Sequence, residues 1–338
     1  MTYEEIIKQV CADLGSYCKG CLVCDGRVCG NTIPGPGAKG SGTGAINNYL
    51  AWQDICVEMD TLCPNRNIDT SLELFGKSFK YPFFAGPVGA VNMHYGDKYD
   101  DLAYNNILVE GCAKAGIAAF TGDGVNHDVM KFATDAIALN EGIGVPTVKP
   151  WNIEMVKEKL ELVKSSNSFA VAMDIDAAGL PFLKNMTPPA GSKSVEEMAQ
   201  IINLVEKPFI IKGIMNVKGA LKAVEAGASA IVVSNHGGRV LDGCPSTAEV
   251  LPEIADAVGS QIKILVDGGI RSGLDVFKAL ALGADGVIIC RPFVSMVYGG
   301  AQEAIEVYVE KIGSELADTM AMCGASTLSE ISRDMIRY

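Results

Sequence analysis

Residues 264–289 read ILVDGGIRSGLDVFKALALGADGVII, which forms one strand–helix–strand unit. An apolar run, Ile264 to Asp267, leads into a helical stretch, Gly273 to Leu282, and a second apolar run begins at Gly286. Short apolar strands that alternate with helices are typical of a parallel α/β sheet. Gly283 directly follows the helix, where glycine accepts the left-handed conformation that ends a helix.

The same alternation runs from about residue 81 to the C-terminus. Two further helices, Val217 to Ala226 and Thr247 to Val258, end at Gly227 and Gly259. The predicted strands are Phe83 to Gly86, Ile117 to Phe120, Pro146 to Lys149, Ala170 to Asp174, Phe209 to Lys212, Ala230 to Ser234, Ile264 to Asp267 and Gly286 to Ile289. Eight such units close a barrel, so the sequence predicts an α/β fold, a (β/α)8 TIM barrel over residues 81–338.

Two segments interrupt this alternation. Residues 1–80 hold a helix, a cysteine cluster and the stretch Gly30 to Gly44, whose glycines and prolines disfavour regular structure. We expect this N-terminal cap segment to lay a loop over the barrel mouth. The stretch Ala177 to Ser194 is rich in proline and glycine and follows the fourth strand, so it is a predicted lid over the catalytic end.

Composition excludes several partners. The chain has 338 residues, 49% of them hydrophobic, which is enough to bury one barrel-sized core. A formal charge of −12 would repel nucleic acid and anionic membranes. The N-terminus carries an acidic pair, Glu4 and Glu5, and no apolar stretch is long enough to span a bilayer. Eleven scattered cysteines, an odd count, fit free thiols in a reducing compartment, so we expect a cytoplasmic protein.

A candidate base and a candidate anion clamp follow the sixth predicted strand. Residues 234–242 read SNHGGRVLD, which places His236 three positions before Arg239. An imidazole and a guanidinium at the mouth of a buried strand can abstract a proton beside a bound carboxylate. The chain has only three histidines, which makes His236 the leading candidate.

A candidate phosphate site follows the last two strands. The loop Asp267 to Gly273 comes after the seventh strand, and Arg291 comes after the eighth. In a barrel these loops commonly bind phosphate, with Gly269 admitting backbone amides and Arg271 and Arg291 supplying charge. Alternatively, the glycines only make tight turns and the arginines pair with surface acids.

Three charged residues end neighbouring strands. Lys212 closes the fifth strand, where a cation stabilises negative charge on a cofactor ring or else forms a salt bridge with an adjacent strand end. Asp174 and Asp176 lie two apart after the fourth strand and therefore share one face. One of them can orient His236, although each alone could equally cap a helix.

These motifs resemble a known family over residues 208–337. They are Ile211 to Gly213, Ser234 to Asp242, Asp267 to Arg271, Asp275 to Ala284, Arg291 with Pro292, Met320 to Gly324 and Glu330 to Ser332. Their order and spacing resemble those of the FMN-dependent 2-hydroxy-acid oxidoreductases, the family of glycolate oxidase, lactate oxidase and flavocytochrome-type lactate dehydrogenases. The resemblance implies an enzyme that converts a 2-hydroxy acid to a 2-oxo acid, or the reverse.

The resemblance implies a role for each catalytic position. His236 would take the substrate proton while the flavin is reduced at N5, with Asp176 as its carboxylate partner. Arg239 would hold the substrate carboxylate. Lys212 would stabilise the reduced flavin at its N1 and O2 edge.

It also implies a set of cofactor contacts. Ser234 and Asp174 would touch the flavin ring, and the phosphate would bind at the loop from Asp267. The full set of implied cofactor residues is Gly89, Thr121, Asp174, Lys212, Ser234, Asp267, Gly269, Arg271 and Arg291. Of these, Gly89 and Thr121 belong to the first half of the chain, where the resemblance is weaker.

The chain departs from the family pattern at the substrate side. It has no evident counterpart of the N-terminal substrate tyrosine, Pro146 to Pro150 replaces a Gln-Leu-Tyr pattern, and no arginine follows Asp176 at the family spacing. Missing charge-assisted contacts of this kind cost a few kcal/mol unless replaced. Candidate replacements, each expected to be a solvated surface residue, are Asn92, His94, Tyr95, Lys149 and Lys184.

Four cysteines near the N-terminus lie outside the family pattern. Cys18, Cys21, Cys24 and Cys29 are spaced x2, x2 and x4, which approaches a ferredoxin run without reproducing it. They could enclose zinc or an iron–sulfur cluster, or remain unligated thiols. A cluster would give reduced flavin an electron exit other than oxygen.

Three functions remain open at this point. The first is the FMN-dependent oxidation of a 2-hydroxy acid, with an unknown electron acceptor and, by the resemblance, a homo-oligomeric protein. The second is an FMN-dependent isomerase or lyase without net oxidation on the same barrel. The third is a flavin- or metal-binding redox sensor.

Overall fold

The strands of the protein form one barrel and two small pairs. We describe residues 1–14, 17–180, 183, 185, 187 and 190–338 of a computed structural model. The strands are β1 (Cys56–Val57), β2 (Leu72–Leu74), β3 (Lys77–Phe79), β4 (Phe83–Ala85), β5 (Ala119–Thr121), β6 (Gly144–Val148), β7 (Val171–Asp174), β8 (Phe209–Ile214), β9 (Ala230–Val233), β10 (Lys263–Val266), β11 (Gly286–Ile289) and β12 (Ile336–Arg337).

The eight predicted strands are β4 to β11, and they close a barrel. Each pairs in parallel with its sequence neighbours, and β11 pairs with β4 to close the ring. Their ends lie within two residues of the predicted positions, so the predicted TIM barrel is confirmed. The fifth barrel strand, β8, continues two residues past Lys212 because Gly213, with φ +107°, forms a bulge there.

Two helices precede the barrel, and the others follow its strands. They are α1 (Tyr3–Asp13), α2 (Thr43–Asp54), α3 (Val91–Tyr95), α4 (Asp101–Lys114), α5 (His127–Leu139), α6 (Ile153–Ser165), α7 (Val195–Ile202), α8 (Val217–Glu225), α9 (Thr247–Val258), α10 (Gly273–Ala281) and α11 (Arg291–Met322). Gly227 and Gly283 are left-handed, as predicted. Gly259 is right-handed instead, because its N–H still bonds to Ala255 and continues the helix. None of the described helices has the length and hydropathy needed to cross a membrane.

The interior of the barrel is a layer of apolar side chains closed at one end by a hairpin. Phe84, Phe120 and Leu265 are among the fully buried residues that face the barrel axis. Leu74 and Phe79, from the β2–β3 hairpin, join the same cluster. The ring of Phe79 packs 5.0 Å from that of Phe84, at the start of the strand. The amino-terminal end of the barrel is therefore sealed, and the carboxyl end remains for a site.

The cap covers that carboxyl end. Helix α2 docks through two reciprocal side-chain hydrogen bonds between Asn48 and Asn235, of 2.7 and 2.9 Å. The indole N–H of Trp52 donates to the carbonyl of Gly268 at 2.8 Å. Residues 30–42 contain no helix or strand and cross the barrel mouth, where the N–H of Lys39 donates to the carbonyl of Gly238. This stretch crosses the mouth as predicted, but it ends at residue 42 and not at Gly44, because Thr43 begins α2.

The predicted lid, Ala177 to Ser194, is described only in part. Pro181, Phe182, Lys184, Met186, Pro188 and Pro189 lie outside the described residues. Of the remainder, Leu180 and Leu183 are each 2% exposed and line the same cavity as the site residues. The lid stays a prediction.

Candidate active site

A single cavity of about 640 Å³ lies at the carboxyl end of the barrel. This volume suits a cofactor with a small substrate. Its walls come from the loops after the strands and from Gly35 and Pro36 of the cap. The basic residues that line it are Lys149, Lys212, Arg239, Arg271 and Arg291. In a chain with a formal charge of −12, this concentration of positive charge favours an anionic ligand.

Strand periodicity brings the charged strand ends together. Ala172, Ile210 and Leu265 belong to the inner core of the barrel. Because side chains alternate across a strand, the residues two positions later also face the axis. These are Asp174, Lys212 and Asp267, which are 1%, 3% and 7% exposed. These three charged side chains therefore lie in one almost fully buried layer under the cavity.

Lys212 is the central cation of this layer. Its Nζ lies 3.4 Å from Oδ2 of Asp176 and 3.7 Å from Oδ2 of Asp267. Burial lowers the pKa of Lys212, but the attraction of these two carboxylates outweighs it and the net shift is upward. Lys212 is thus a permanent cation. Gly213 makes this possible, because a Cβ there would lie 2.6 Å from Cβ of Asp176.

His236 is arranged as a neutral base. Its Nδ1 lies 3.0 Å from Oδ1 of Asp176, and a proton on Nδ1 leaves Nε2 as the free acceptor. Burial and the charge of Lys212 lower the pKa of His236, against the opposing effect of Asp176. Burial raises the pKa of Asp176, but Lys212 and His236 bring it down to about 2. A neutral imidazole beside an ionised carboxylate is what general-base catalysis requires.

The backbone at His236 is strained. His236 has φ +56°, followed by Gly237 at +65° and Gly238 at +82°. A left-handed histidine is uncommon and costs of order 1–3 kcal/mol, so the surrounding structure must hold it. The hydroxyl of Ser234 accepts from the N–H of His236 at 3.1 Å, and Asn235 accepts from the N–H of Gly238 at 3.1 Å. This turn directs the imidazole into the cavity.

Carbonyl groups of the cap hold two of the arginines. Nη1 of Arg239 donates to the carbonyls of Gly35 and Gly37, the latter at 2.9 Å. Nη1 of Arg291 donates to the carbonyl of Pro36 at 3.2 Å. Both side chains are thus oriented from above by one loop, and their remaining N–H groups are available to a ligand.

The three arginines of the cavity have no acidic partner. Arg27, Arg66, Arg333 and Arg337 form ion pairs, which accounts for four of the seven arginines in the sequence. Within the described ranges no carboxylate oxygen lies within 4.0 Å of a guanidinium nitrogen of Arg239, Arg271 or Arg291. Buried guanidinium groups need compensation, and an anionic ligand would supply it.

Arg271 and Gly269 belong to the loop that the sequence predicts to bind phosphate. Nε of Arg271 donates to the carbonyl of Cys24 at 2.7 Å, so the cysteine cluster lies beside this loop. Gly269 has φ +85°, and a Cβ there would lie 2.1 Å from the carbonyl oxygen of Asn48. The glycine is therefore required for the docking of α2. Both residues line the cavity, as do Gly89, Asp267 and Arg291.

Several buried polar atoms in this region have no hydrogen-bond partner. They include Oδ1 of Asp174, Oδ1 of Asp267 and Oγ1 of Thr147. Thr147 lies two residues after Val145, an inner-core residue, so it also faces the axis. Of these three residues only Asp267 lines the cavity, where a donor on a bound ring would satisfy its free oxygen. Together with the lysines and arginines of the cavity, this residue fits a flavin with a phosphate.

Thr121, which the resemblance places among the cofactor contacts, lies outside the cavity lining. It is buried at the end of β5 but does not line the cavity. Its neighbour Phe120 belongs to the inner core, so alternation turns Thr121 away from the axis. Thr147 was not among the predicted site residues, although alternation along β6, which begins at Gly144, places it on the inner face. Asp174, Asp176 and Ser234 lie behind the cavity wall and contact residues that line it.

Four of the five residues proposed to replace the missing substrate contacts line the cavity. Asn92, His94, Tyr95 and Lys149 line it, whereas Lys184 lies outside the described residues. The expectation of a solvated surface position is wrong for His94, Tyr95 and Lys149, because the exposed fractions are 9% and 5% for the first two residues and 13% for the lysine side chain. Helix α3 and the end of β6 pack under the cap loop, where Nδ1 of His94 accepts from the N–H of Gly35 at 3.0 Å.

The four cysteines do not form a mononuclear metal site. A tetrahedral zinc with Zn–S bonds of about 2.3 Å holds its sulfur atoms roughly 3.8 Å apart. Across the part of the chain that the structure describes, the one group of three or more ligand atoms within 4.8 Å is Asp174, Asp176 and His236. Cys18, Cys21, Cys24 and Cys29 are free thiols. Zinc at these cysteines is therefore not supported.

A parallel barrel whose carboxyl-end cavity gathers a histidine, two lysines and three arginines is typical of enzymes that bind an anionic cofactor, and comparison with known proteins narrows this class. The family model of the FMN-dependent dehydrogenases matches residues 36–185 and 182–338. The chain belongs to this family.

Curated relatives match over part of the chain. A peroxisomal (S)-2-hydroxyacid oxidase of Arabidopsis thaliana, GLO3, is 42% identical over 146 residues, which are 43% of this chain and 40% of that protein. An L-lactate dehydrogenase of Xanthomonas campestris is 50% identical over 129 residues, 38% of this chain and 33% of the relative. The matched region thus spans about two fifths or less of these relatives' length.

Solved structures share the fold over most of the chain. A mandelate oxidase mutant with (S)-mandelic acid has a TM-score of 0.80 at 23% identity, covering 99% of this chain and 97% of that one. The flavin-binding domain of baker's yeast flavocytochrome b2 has a TM-score of 0.80 at 21% identity, covering 90% and 81%. At these identities the likeness concerns the fold alone.

Proposed function

We propose that the protein is an FMN-dependent oxidoreductase that converts a 2-hydroxy acid to a 2-oxo acid. The observation that carries this proposal is the cavity, which is lined by a histidine that a carboxylate orients and by three arginines whose guanidinium groups have no ion-pair partner among the described residues. The names of the curated relatives, a 2-hydroxyacid oxidase and an L-lactate dehydrogenase, support the same chemistry.

FMN would be held mainly by charge. Arg271 and Arg291 would bind its phosphate, with Gly269 and Asp267 on the same loop. Lys212, fixed between two carboxylates, would stabilise negative charge on the ring. The contacts of Gly89, Ser234, Asp174 and Thr121 with the ring remain proposals from the resemblance. When bound, FMN supplies the acceptor for the two electrons that leave the substrate.

The chain's own residues would bind and deprotonate the substrate. Arg239 would hold the carboxylate of the substrate with the N–H groups that the cap carbonyls leave free. Nε2 of His236 would take the substrate proton. The resulting imidazolium would be stabilised by Asp176, which lies 3.0 Å from Nδ1. The cap loop would exclude water from this step.

An anaerobic titration tests the proposal. We expect purified, FMN-loaded protein to lose its flavin absorbance when mixed with at least one member of a panel of 2-hydroxy acids. The matched 2-oxo acid should form in equal amount. Turnover of a substrate without acceptor and without bleaching would instead indicate an isomerase or lyase. Failure to bind FMN after reconstitution would overturn the proposal and leave a sensor or another function.

Lys149 is our candidate for the missing second substrate contact. It follows β6, in the segment that stands in place of the family's Gln-Leu-Tyr pattern, and it lines the cavity together with His236 and Arg239. Its Nζ lies 2.5 Å from Oδ2 of Asp174, which is fully buried. The aspartate fixes the ammonium group, whose other hydrogens can donate to a substrate oxygen.

Removing the Lys149–Asp174 pair should weaken substrate binding, and the FMN content of the same variant shows whether the proposed ring contact of Asp174 is lost with it. We expect the double variant Lys149→Met/Asp174→Asn, which leaves no buried charge unpaired, to raise KM about 10- to 100-fold, the value of one charge-assisted hydrogen bond. Steady-state kinetics and FMN content measure this. Lys164→Met, at an exposed site on α6, is the control. An unchanged KM in the double variant would remove Lys149 from the substrate site.

The cellular setting is also a proposal. We propose a cytoplasmic homo-oligomer that passes electrons to an acceptor still to be identified. The acidic composition and the free thiols support a reducing compartment. Light scattering on the purified holoenzyme tests the oligomeric state, and a monomer at micromolar concentration would contradict it.

A further inference from the structure

The cysteine loop, residues 18–29, lies at the phosphate end of the cavity. It contains no helix or strand and carries Cys18, Cys21, Cys24 and Cys29. The side chain of Arg271 donates to the carbonyl of Cys24 and places Nη2 3.8 Å from its sulfur. The mechanism proposed above uses none of these thiols. Four thiols of one short loop therefore gather beside an arginine of the phosphate site.

The four thiols are close enough to interact in every pair. The pKa of Cys18 is raised to about 11, first by burial and then by Cys24, Cys21 and Cys29. Cys24 and Cys29 likewise raise the pKa of Cys21, and Cys24 raises that of Cys29. The four thiols of this twelve-residue loop therefore influence one another electrostatically, and all four side chains are partly sheltered from solvent.

The spacing of the sulfur atoms distinguishes a single zinc ion from an iron–sulfur cluster as the bound group. Within the described ranges no three of them lie within 4.8 Å of one another, which is too wide for one tetrahedral zinc. No disulfide joins any of the four. An iron–sulfur cluster holds its cysteines farther apart than a single ion does, because irons and sulfides stand between the thiolates. Four sulfur atoms that share one short loop, but are too far apart for a single ion, match that requirement.

The charge around the loop supplies a second, independent observation. Four thiolates and an iron–sulfur core carry net negative charge. Arg271 contacts Cys24, and the charge of Arg291 acts on both Cys24 and Cys29. Neither arginine has a carboxylate partner among the described residues. The charge of these two arginines therefore acts on the thiolates as well as on the phosphate that they would bind.

We infer that the cysteine loop binds an iron–sulfur cluster through Cys18, Cys21, Cys24 and Cys29. The cluster is a one-electron carrier. It lies beside the arginines that face the cavity and is accessible from the protein surface on its other side, where Leu22 and Val28 are exposed. The site does not depend on the proposed oxidation, since its ligands and the residues of proton transfer are different.

Anaerobic purification of the full chain tests this inference. We expect iron and acid-labile sulfide in equal amounts, at two to four of each per chain, and an EPR signal after dithionite reduction. Cys21→Ser and Cys24→Ser should each lose at least four fifths of the iron and sulfide. Cys63→Ser, at an exposed cysteine outside the loop, should keep both.

The other outcomes overturn the inference. They are absence of iron and sulfide after reconstitution with ferrous iron and sulfide, one zinc per chain in their place, or equal losses in Cys63→Ser. FMN content and bleaching by 2-hydroxy acids are measured on the same samples. A protein that binds FMN and is bleached but holds no iron would refute the cluster alone, and a protein with a cluster but no bleaching would refute only the proposed oxidation.

Discussion

His236→Asn should slow the reduction of bound flavin by roughly 10²- to 10⁴-fold, the usual contribution of a general base. The side chain of asparagine cannot take the substrate proton, while the arginines that would hold FMN and substrate remain in place. FMN content should therefore stay near one per chain, and substrate affinity should change little. Stopped-flow absorbance of the flavin under anaerobic conditions measures the rate.

The pH dependence separates catalysis by His236 from structural damage. The pKa of His236 is lowered below its ordinary value of 6.5 by burial and by Lys212. Its active, neutral form is therefore lost only on acidification, so kcat/KM should rise with pH along a limb whose midpoint lies below 6.5. His236→Asn should lack this limb. His127→Asn, at an exposed histidine, should keep both the rate and the limb. A midpoint above 6.5, or equal loss in the control, would exclude His236 as the base.

Lys212→Met should lower the free energy of unfolding by about 3–5 kcal/mol, because it leaves two buried carboxylates without their shared cation. Asp176 and Asp267 both lie within 4.0 Å of Nζ in the native protein. FMN affinity should fall as well, since Lys212 lines the cavity. Urea denaturation of the protein without FMN, followed by circular dichroism, separates the stability effect from cofactor loss.

The difference in unfolding free energy between Lys212→Met and the native protein should become smaller as the pH falls. In the native protein the pKa of Asp176 is about 2, against an ordinary value of 3.8. This carboxylate therefore stabilises the fold above pH 3.8, and the contribution is lost as pH falls toward 2. Without Lys212, burial raises the pKa of this carboxylate. Its protonation in acid then removes the unpaired buried charge that destabilises the variant. The gap between variant and native protein should narrow on acidification. Lys222→Met, at an exposed lysine, should be neutral, and a gap that widens in acid would contradict the arrangement.

The barrel was predictable because its signals are local. Each strand is a short apolar run and each helix ends at a glycine or a polar turn, so periodicity within about ten residues determines both. Strand alternation then places Asp174, Lys212 and Asp267 on the axis without any knowledge of distant contacts. Gly259 is the exception, since a glycine after a helix permits a left-handed turn but does not require one.

The substrate side was not predictable, because its contacts join distant segments. Arg239 is oriented by the carbonyls of Gly35 and Gly37, more than two hundred residues away. No periodic pattern indicates that His94 accepts from Gly35 or that Lys149 lies against Asp174. These pairs depend on the path of an irregular loop, which only the packed structure shows.

The sequence by itself determined the barrel, the order of its strands and the types of residue at their carboxyl ends, because local hydrophobic patterns and turn residues encode them. Only the tertiary structure decided which charges have partners. It showed that Lys212 lies between two carboxylates and that Arg239, Arg271 and Arg291 have none among the described residues. The reason is physical: charge compensation depends on distances of a few ångströms between residues far apart in the chain, and these distances exist only after the cap has closed over the barrel.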